Sequence, residues 1–246
     1  MNVSLFQAAS ALNANSRWQE LIAGNLAASA VPGYKRQEIS FAAVEAGLKP
    51  VPGAPAQFLQ PHARGVTNFS PGEMKYTGVN TDVAVEGSGF FEVQLPSGAA
   101  AYTRDGEFHV NAQGQLVTKQ GFAVLGENGP VQFDPGNGGP VSIAATGEVS
   151  QGSDVKGKLK LTDFNEPHLL APVPGGFFLA NHPNLQARAV PATSLRQGYL
   201  ESSNVSSVTE MAHLITAMRM FEANQKVLQS HDERMGRAIS ELGGVS

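Results

Sequence analysis

The sequence predicts an α+β protein in two parts: N- and C-terminal helices forming an antiparallel coiled-coil-like core, and a central all-β domain of short antiparallel strands. Three observations predict it. Residues 211–242 repeat their apolar positions every 3.5 residues, the period of a helix-to-helix seam. The middle of the chain alternates with a period of two, between glycine turns. The first thirty or so residues return to helical spacing and stop at Pro32-Gly33.

The N-terminal part, residues 1–33, reads as helix over residues 3–30, opening with Ser4 and Gln7 in capping-box spacing. Leu5, Ala8, Leu12, Ile22 and Leu26 fall on a 3,4 spacing, with Asn15 and Gln19 at the remaining seam positions. Gly24 within it costs about 1 kcal/mol relative to alanine, so this helix depends on packing. Residues 34–64 read as an extended connector, because Pro50, Pro52, Pro55 and Pro61 remove amide donors and push their neighbours toward extended backbone.

Residues 65–197 form the β domain. Val83 and Val85, then Phe91, Val93 and Leu95, then Phe108 and Val110, and later Val141 and Ile143 alternate as half-buried strands do. Turn signals recur at Pro96-Ser97-Gly98, Asp105-Gly106, Gln113-Gly114, Gln120-Gly121, Asn128-Gly129, Asn137-Gly138-Gly139, Thr146-Gly147 and Gln151-Gly152. Asp105-Gly106 is expected to supply the positive-φ positions of a tight hairpin, and Gly87 with Gly89 to turn the chain before Phe90 and Phe91 enter the core. Lys156, Lys158 and Lys160 read as the solvated face of a strand that buries Leu159 and Leu161.

Residues 198–246 return to helix, with Ser207 and Glu210 in capping-box spacing and Gly243-Gly244 as a stop. Its seam is Met211, Leu214, Met218, Phe221, Gln225, Leu228, Asp232, Met235, Ile239 and Leu242. Ordinary packing of this stripe on its own β domain is the alternative, but a sheet asks for a broader apolar face than a strict 3.5 repeat offers. Gln225 and Asp232 suit register-setting positions and suit partial exposure equally. The N-terminal helix is the nearest partner. Being short, it leaves part of the seam for other copies or related chains to cover.

Composition narrows the chemistry. The 246 residues include 41% apolar residues and carry a formal charge of −4, with cations scattered rather than gathered in a stripe that would bind nucleic acid. There is no cysteine, which excludes disulfides, thiolate metal sites and cysteine nucleophiles. The N-terminus lacks the pattern of a cleaved signal peptide, and no apolar run is long enough to span a membrane. GxSxG, P-loop, complete GxGxxG and HExxH patterns are missing, and the six histidines are dispersed, so no catalytic, cofactor-binding or metal-binding residue is assigned. Asp82 with Glu86 and Asp105 with Glu107 place carboxylates near one another as a glycan hydrolase would. Solvation of turns and edges explains them more simply.

Four stretches together resemble the bacterial flagellar rod and hook family. NLAASAVPGYKR at residues 25–36 is similar to its NLANxxTPG[FY]KR signature, with Ala28 and Val31 departing from it, and carries Asn25, Leu26, Pro32, Gly33, Tyr34, Lys35 and Arg36. TDVAVEGSGFF at 81–91 contains Asp82, Gly87, Gly89, Phe90 and Phe91, and YTRDGEFHVNAQGQLVT at 102–118 contains Tyr102, Arg104 and Gly106. GYLESSNV at 198–205 contains Gly198, Glu201, Asn204 and Val205 and leads into the helix. Tyr102 and Arg104 are expected as an exposed pair facing a neighbour, and Asn204 as the cap of the C-terminal helix. Within the family, the length and VLGENGPVQF at 124–133 are most similar to the proximal rod type, with the distal rod type next.

The resemblance implies a structural subunit of the basal-body rod and no enzyme. Its partners would be copies of itself, other proximal and distal rod subunits and the flagellar export apparatus, with no nucleic acid, no cofactor and no transmembrane segment. It would reach the periplasm without a cleaved signal, its helices would line the rod, and its β domain would form an outer layer of a shaft transmitting torque for motility. A distal rod or hook-type paralogue is the near alternative, and a secreted β-rich wall-binding protein or glycan hydrolase the distant one.

Overall fold

The computed structural model describes residues 3–45, 59–188, 190 and 193–243, and forms two compact units. Of the described residues, the first unit gathers those within 1–27, 37–66 and 206–246, and the second those within 28–36 and 67–205.

In the first unit, helix α1 (Val3–Ala27) and helix α2 (Ser207–Gly243) lie side by side. They run antiparallel, since Asn25 late in α1 donates to Glu210 early in α2 at 3.1 Å, while the Trp18 ring lies 6.3 Å from that of His213. Two strands, β1 (Gln37–Glu45) and β2 (Leu59–Thr67), pair with each other in what was expected to be a connector. Extended backbone was legible there; its pairing was not, because Pro61 falls inside one strand and the alternation is weak. Pro50, Pro52 and Pro55 lie outside the described residues.

The Asn25 side chain ties β1 to α1. Asn25 Nδ2 donates to the Gln37 carbonyl at 2.8 Å while its Oδ1 accepts the Gln37 amide at 2.9 Å, and Gly65 of β2 approaches Leu21. With strands as well as α2 against it, α1 buries a face wider than a seam, holding Ala14, Asn15, Leu21, Ile22 and Asn25. Leu12 and Leu26, expected in the seam, are half-buried. The side chains of Ser4, Leu5, Gln7 and Ala8 lie outside the described residues.

The second unit is antiparallel β structure. Its main sheet runs in the order Ala171–Val173, Phe177–Leu179, Ala100–Thr103, Phe90–Gln94, Ala123–Gly126, Leu116–Thr118, Phe108–Val110. Leu161–Phe164 branches from Phe90–Gln94, and a separate three-stranded sheet joins Val141–Ile143, Glu148–Gln151 and Asp154–Lys158. The first strands of the unit pair with its last: Val83–Glu86 with Ser194–Gln197, and Met74–Tyr76 with Tyr199–Glu201. Chain arrival and departure are thereby brought together.

Successive strand residues face opposite ways, so Phe90 and Phe91 serve two cores. Phe91 stacks edge-on at 5.0 Å to Phe108 in a cluster with Val83, Val93, Leu116 and Val124, while Phe90 joins Phe164, Leu170 and Phe178. Val110 departs from the expected pattern and is exposed. Leu159 is buried and Lys158 and Lys160 pair with Glu127 and Glu92, so those lysines are ion-paired rather than merely solvated.

Asp105-Gly106 does not close a hairpin. The strands on either side of it, Ala100–Thr103 and Phe108–Val110, are not neighbours in the sheet, and Gly106 is not among the residues of positive φ. Glycine is required for another reason: a Cβ there would stand 1.7 Å from the Val83 carbonyl oxygen. Gly87 and Gly89 do adopt positive φ before the phenylalanines.

Candidate functional site

The motif residues of the second unit converge on a buried ion triad. Glu201 ends a strand, Lys35 follows the Pro32-Gly33 turn, and Arg104 follows Thr103 at the end of another strand. Lys35 Nζ lies 2.5 Å from Glu201 Oε1, and Arg104 Nη1 lies 3.4 Å from Oε2. Both Lys35 and Glu201 side chains are only 2% exposed. Two cations share one carboxylate, and backbone oxygens take further donors: Lys35 also donates to the Ser70 carbonyl, and Arg104 to those of Gly87 and Val85, while the buried Arg104 Nε makes no hydrogen bond. Glu201 accepts the Gly72 amide at 2.8 Å, while its own carbonyl accepts the Gly33 amide at 2.7 Å.

Burial pulls the Lys35 ammonium below its ordinary range, and the Glu201 carboxylate opposes that shift. Burial acts the same way on Arg104, with Glu201 and then Asp163 opposing it. The guanidinium lies over the Phe90 ring, 5.2 Å from its centroid, so Arg104 is an internal strut rather than the exposed residue expected. Tyr102 is half-buried against Phe164. Gly33, at φ +66°, tolerates no side chain, because a Cβ would stand 2.2 Å from the Arg104 carbonyl carbon.

Asn204 fastens the same junction instead of capping a helix. Its Oδ1 accepts the Arg36 amide at 2.7 Å, and its Nδ2 donates to the carbonyls of Asn68 and Ser70. Ser206 sits at the start of α2, its Oγ accepting the Thr209 amide at 3.4 Å. Glu210, expected to complete a capping box, is buried and bonded to Asn25. Gly198 donates its amide to the Asp82 carbonyl, and Val205 is half-buried.

The carboxylates that a glycan hydrolase would use are engaged. Arg196 grips Glu86 with two hydrogen bonds, at 2.9 and 3.1 Å, and Asp82 and Asp105 are buried. Asp105 Oδ1 accepts the Glu107 amide at 2.9 Å. Burial raises the Asp105 pKa from 3.8 to about 6; the Glu107 amide opposes this, the Glu107 carboxylate adds to it, Lys119 opposes and Asp82 adds. Between these two values the folded chain keeps a proton that the unfolded chain has lost, so stability falls as pH rises through the window. Asp105→Asn keeps the acceptor and cannot ionise. Urea unfolding should therefore show it roughly 2 kcal/mol more stable than the parent at pH 7.5, with a flatter profile from pH 4 to 6. Identical profiles would contradict this account.

In the first unit, α2 meets α1 through a seam one residue away from the expected one. Glu210 and Ala217 are buried and Leu214, Phe221, Asn224, Leu228 and His231 half-buried, again on a 3,4 spacing. Leu214, Phe221 and Leu228 belong to both patterns; Met211, Met218, Gln225 and Asp232 do not and are exposed, and Met235 falls on both spacings but is exposed as well. The side chains of Ile239 and Leu242 and all of Gly244 lie outside the described residues. Ala217 is small and Asn224 polar, so neither marked the true register in sequence.

Two apolar stripes of α2 are left uncovered. Val208, Met211, Ile215 and Met218 are 80, 56, 56 and 52% exposed, and Met220 with Val227 forms a second exposed strip. At about 100° per residue, these stripes fall on either side of the face that meets α1. Among the described residues no group of three or more ionisable side chains is placed to hold a metal, and no helix is long and apolar enough to cross a membrane.

Comparison with known proteins gives a consistent picture. Residues 84–151 match the family described as the flagellar hook protein FlgE/F/G D1 domain, and residues 196–241 the flagellar basal body rod FlgEFG protein C-terminal family. Over 255 residues the chain is 32% identical to the flagellar basal-body rod protein FlgG of Buchnera aphidicola, covering 94% of this chain and 96% of that one. It is 33% identical to the rod protein FlgF of Caulobacter vibrioides over 92% of each chain, and 33% to FlgF of Escherichia coli over 97% of each. Relatives of both rod types match at this level, so similarity does not choose between the proximal and the distal type.

Proposed function

The chain belongs to the flagellar basal-body rod protein family, and from that premise we propose that the uncovered stripes of α2 are the surfaces through which it packs with other rod subunits. It is a structural subunit of the rod and serves flagellum-dependent motility. The observation that carries the proposal is the position of those stripes: α1 covers one face of α2 and leaves apolar residues on both sides of it. A helix with contacts on three sides belongs inside a bundle of helices. Burying Met211, Ile215 and Met218 contributes about 1.5 to 3 kcal/mol for each side chain fully covered.

In this reading the helices of neighbouring copies and of proximal and distal rod subunits pack in coiled-coil fashion around the rod axis, and the β unit forms the outer layer. A head-to-tail contact that does not close on itself yields an open helical filament, the form a shaft requires. Twisting it means breaking many small contacts together, which is how the subunit transmits torque. Subunits reach the periplasm through the flagellar export apparatus. Cells lacking this chain should be non-motile and should regain swimming when the full-length chain is supplied. Normal motility in its absence would overturn the proposal.

A further inference from the structure

We propose that Met211, Met218 and Met220 are sulfoxidation sites through which peroxide blocks incorporation of the unassembled subunit. The inference rests on the reading of α2 as the assembling surface and adds a form of chemical control to it. The chain has six methionines and no cysteine, so thioethers are its only oxidisable sulfur. Three of them stand on the two uncovered stripes, 56, 52 and 50% exposed; Met235, 45% exposed, lies farther along α2 and off those stripes, and Met74 is half-buried in a paired strand of the other unit.

The chemistry is complete with a hydroperoxide as oxidant. A sulfur lone pair attacks one peroxide oxygen, the O–O bond breaks as the S–O bond forms, and the departing hydroxide takes up the proton to leave water. Sulfur loses two electrons and the peroxide gains them. The product replaces a flexible apolar side chain with a polar one, a change that disrupts methionine-rich contacts and that sulfoxide reductases reverse. Polar sulfoxides on both stripes oppose burial against neighbours. Once covered in a rod, the same sulfurs are shielded, so the control acts before incorporation.

The test treats the purified full-length chain with hydrogen peroxide. Peptide mass spectrometry follows each methionine, Trp18 fluorescence follows the fold of the helical unit, and sedimentation follows self-association. Sulfoxide should form at Met211, Met218 and Met220 at least about fivefold faster than at Met74, and association should weaken at least about tenfold with Trp18 fluorescence unchanged. A methionine sulfoxide reductase with a dithiol should restore association, and the triple variant Met211→Leu, Met218→Leu, Met220→Leu should associate whether or not peroxide is added. Equal oxidation at Met74, or unchanged association after oxidation, overturns the inference. The corresponding triple glutamate variant separates the two readings. If glutamate blocks association and sulfoxide does not, this inference alone fails; if glutamate leaves association intact, the assembling role of the stripes fails with it.

Discussion

Glu201→Ala should cost the β unit about 3 to 5 kcal/mol, the range seen when one member of a buried ion pair is removed. The substitution leaves Lys35 and Arg104 facing each other without their shared carboxylate and deprives the Gly72 amide of its acceptor. Lys35 can answer by losing its proton, since burial already pulls its pKa down. Arg104 cannot, and most of the cost falls there. Lys35→Met should be milder, because it leaves one cation opposite one carboxylate. The two units can be followed separately, as the single tryptophan, Trp18, lies in the helical unit and the four tyrosines, Tyr34, Tyr76, Tyr102 and Tyr199, lie in the β unit. Urea unfolding of Glu201→Ala followed by tyrosine fluorescence should shift to a lower midpoint than that of Lys35→Met. Equal midpoints would mean that the triad is no keystone.

The local features of this fold were legible in sequence because they are written locally. Helical spacing announced α1 and α2, and alternation between glycines announced the strands around Phe91 and Val93. Features made by distant residues were not. Asn25 and Glu210 meet across 185 positions, and Lys35 and Glu201 across 166, so the motif residues could be named while their convergence could not be foreseen. Asp105-Gly106 shows the opposite failure: a dipeptide with hairpin chemistry is used for close approach to Val83. Within residues 134–195 the strand at Val141 and Ile143 was legible but the topology was not, because the strands are short and one carries a bulge at Val149 and Ser150. The α2 seam was misplaced by one residue because the helix carries more than one apolar stripe, and the larger side chains mark the uncovered one.

That misplacement leads to the second large effect. Met211→Glu with Met218→Glu should abolish incorporation into rods and swimming while leaving the folded subunit intact. Neither side chain lies on the face of α2 that meets α1, so the substitutions put two charges in water in the free subunit and leave Leu214, Ala217 and Phe221 in place. In an assembled bundle the same charges would be buried without partners, which costs several kcal/mol for each ion. Leu214→Glu should act differently and unfold the helical unit itself, seen as a change in Trp18 fluorescence. Retained swimming in the Met211, Met218 variant would show that the stripe faces water in the rod.

The most direct measurement is photocrosslinking from a benzophenone amino acid placed at position 218 or at position 214 in cells that assemble basal bodies. Position 218 should yield covalent adducts between this chain and other rod subunits, and position 214 only an adduct within the chain, with α1. Adducts confined to the chain itself at both positions would contradict the claim that α2 keeps an apolar face for its neighbours.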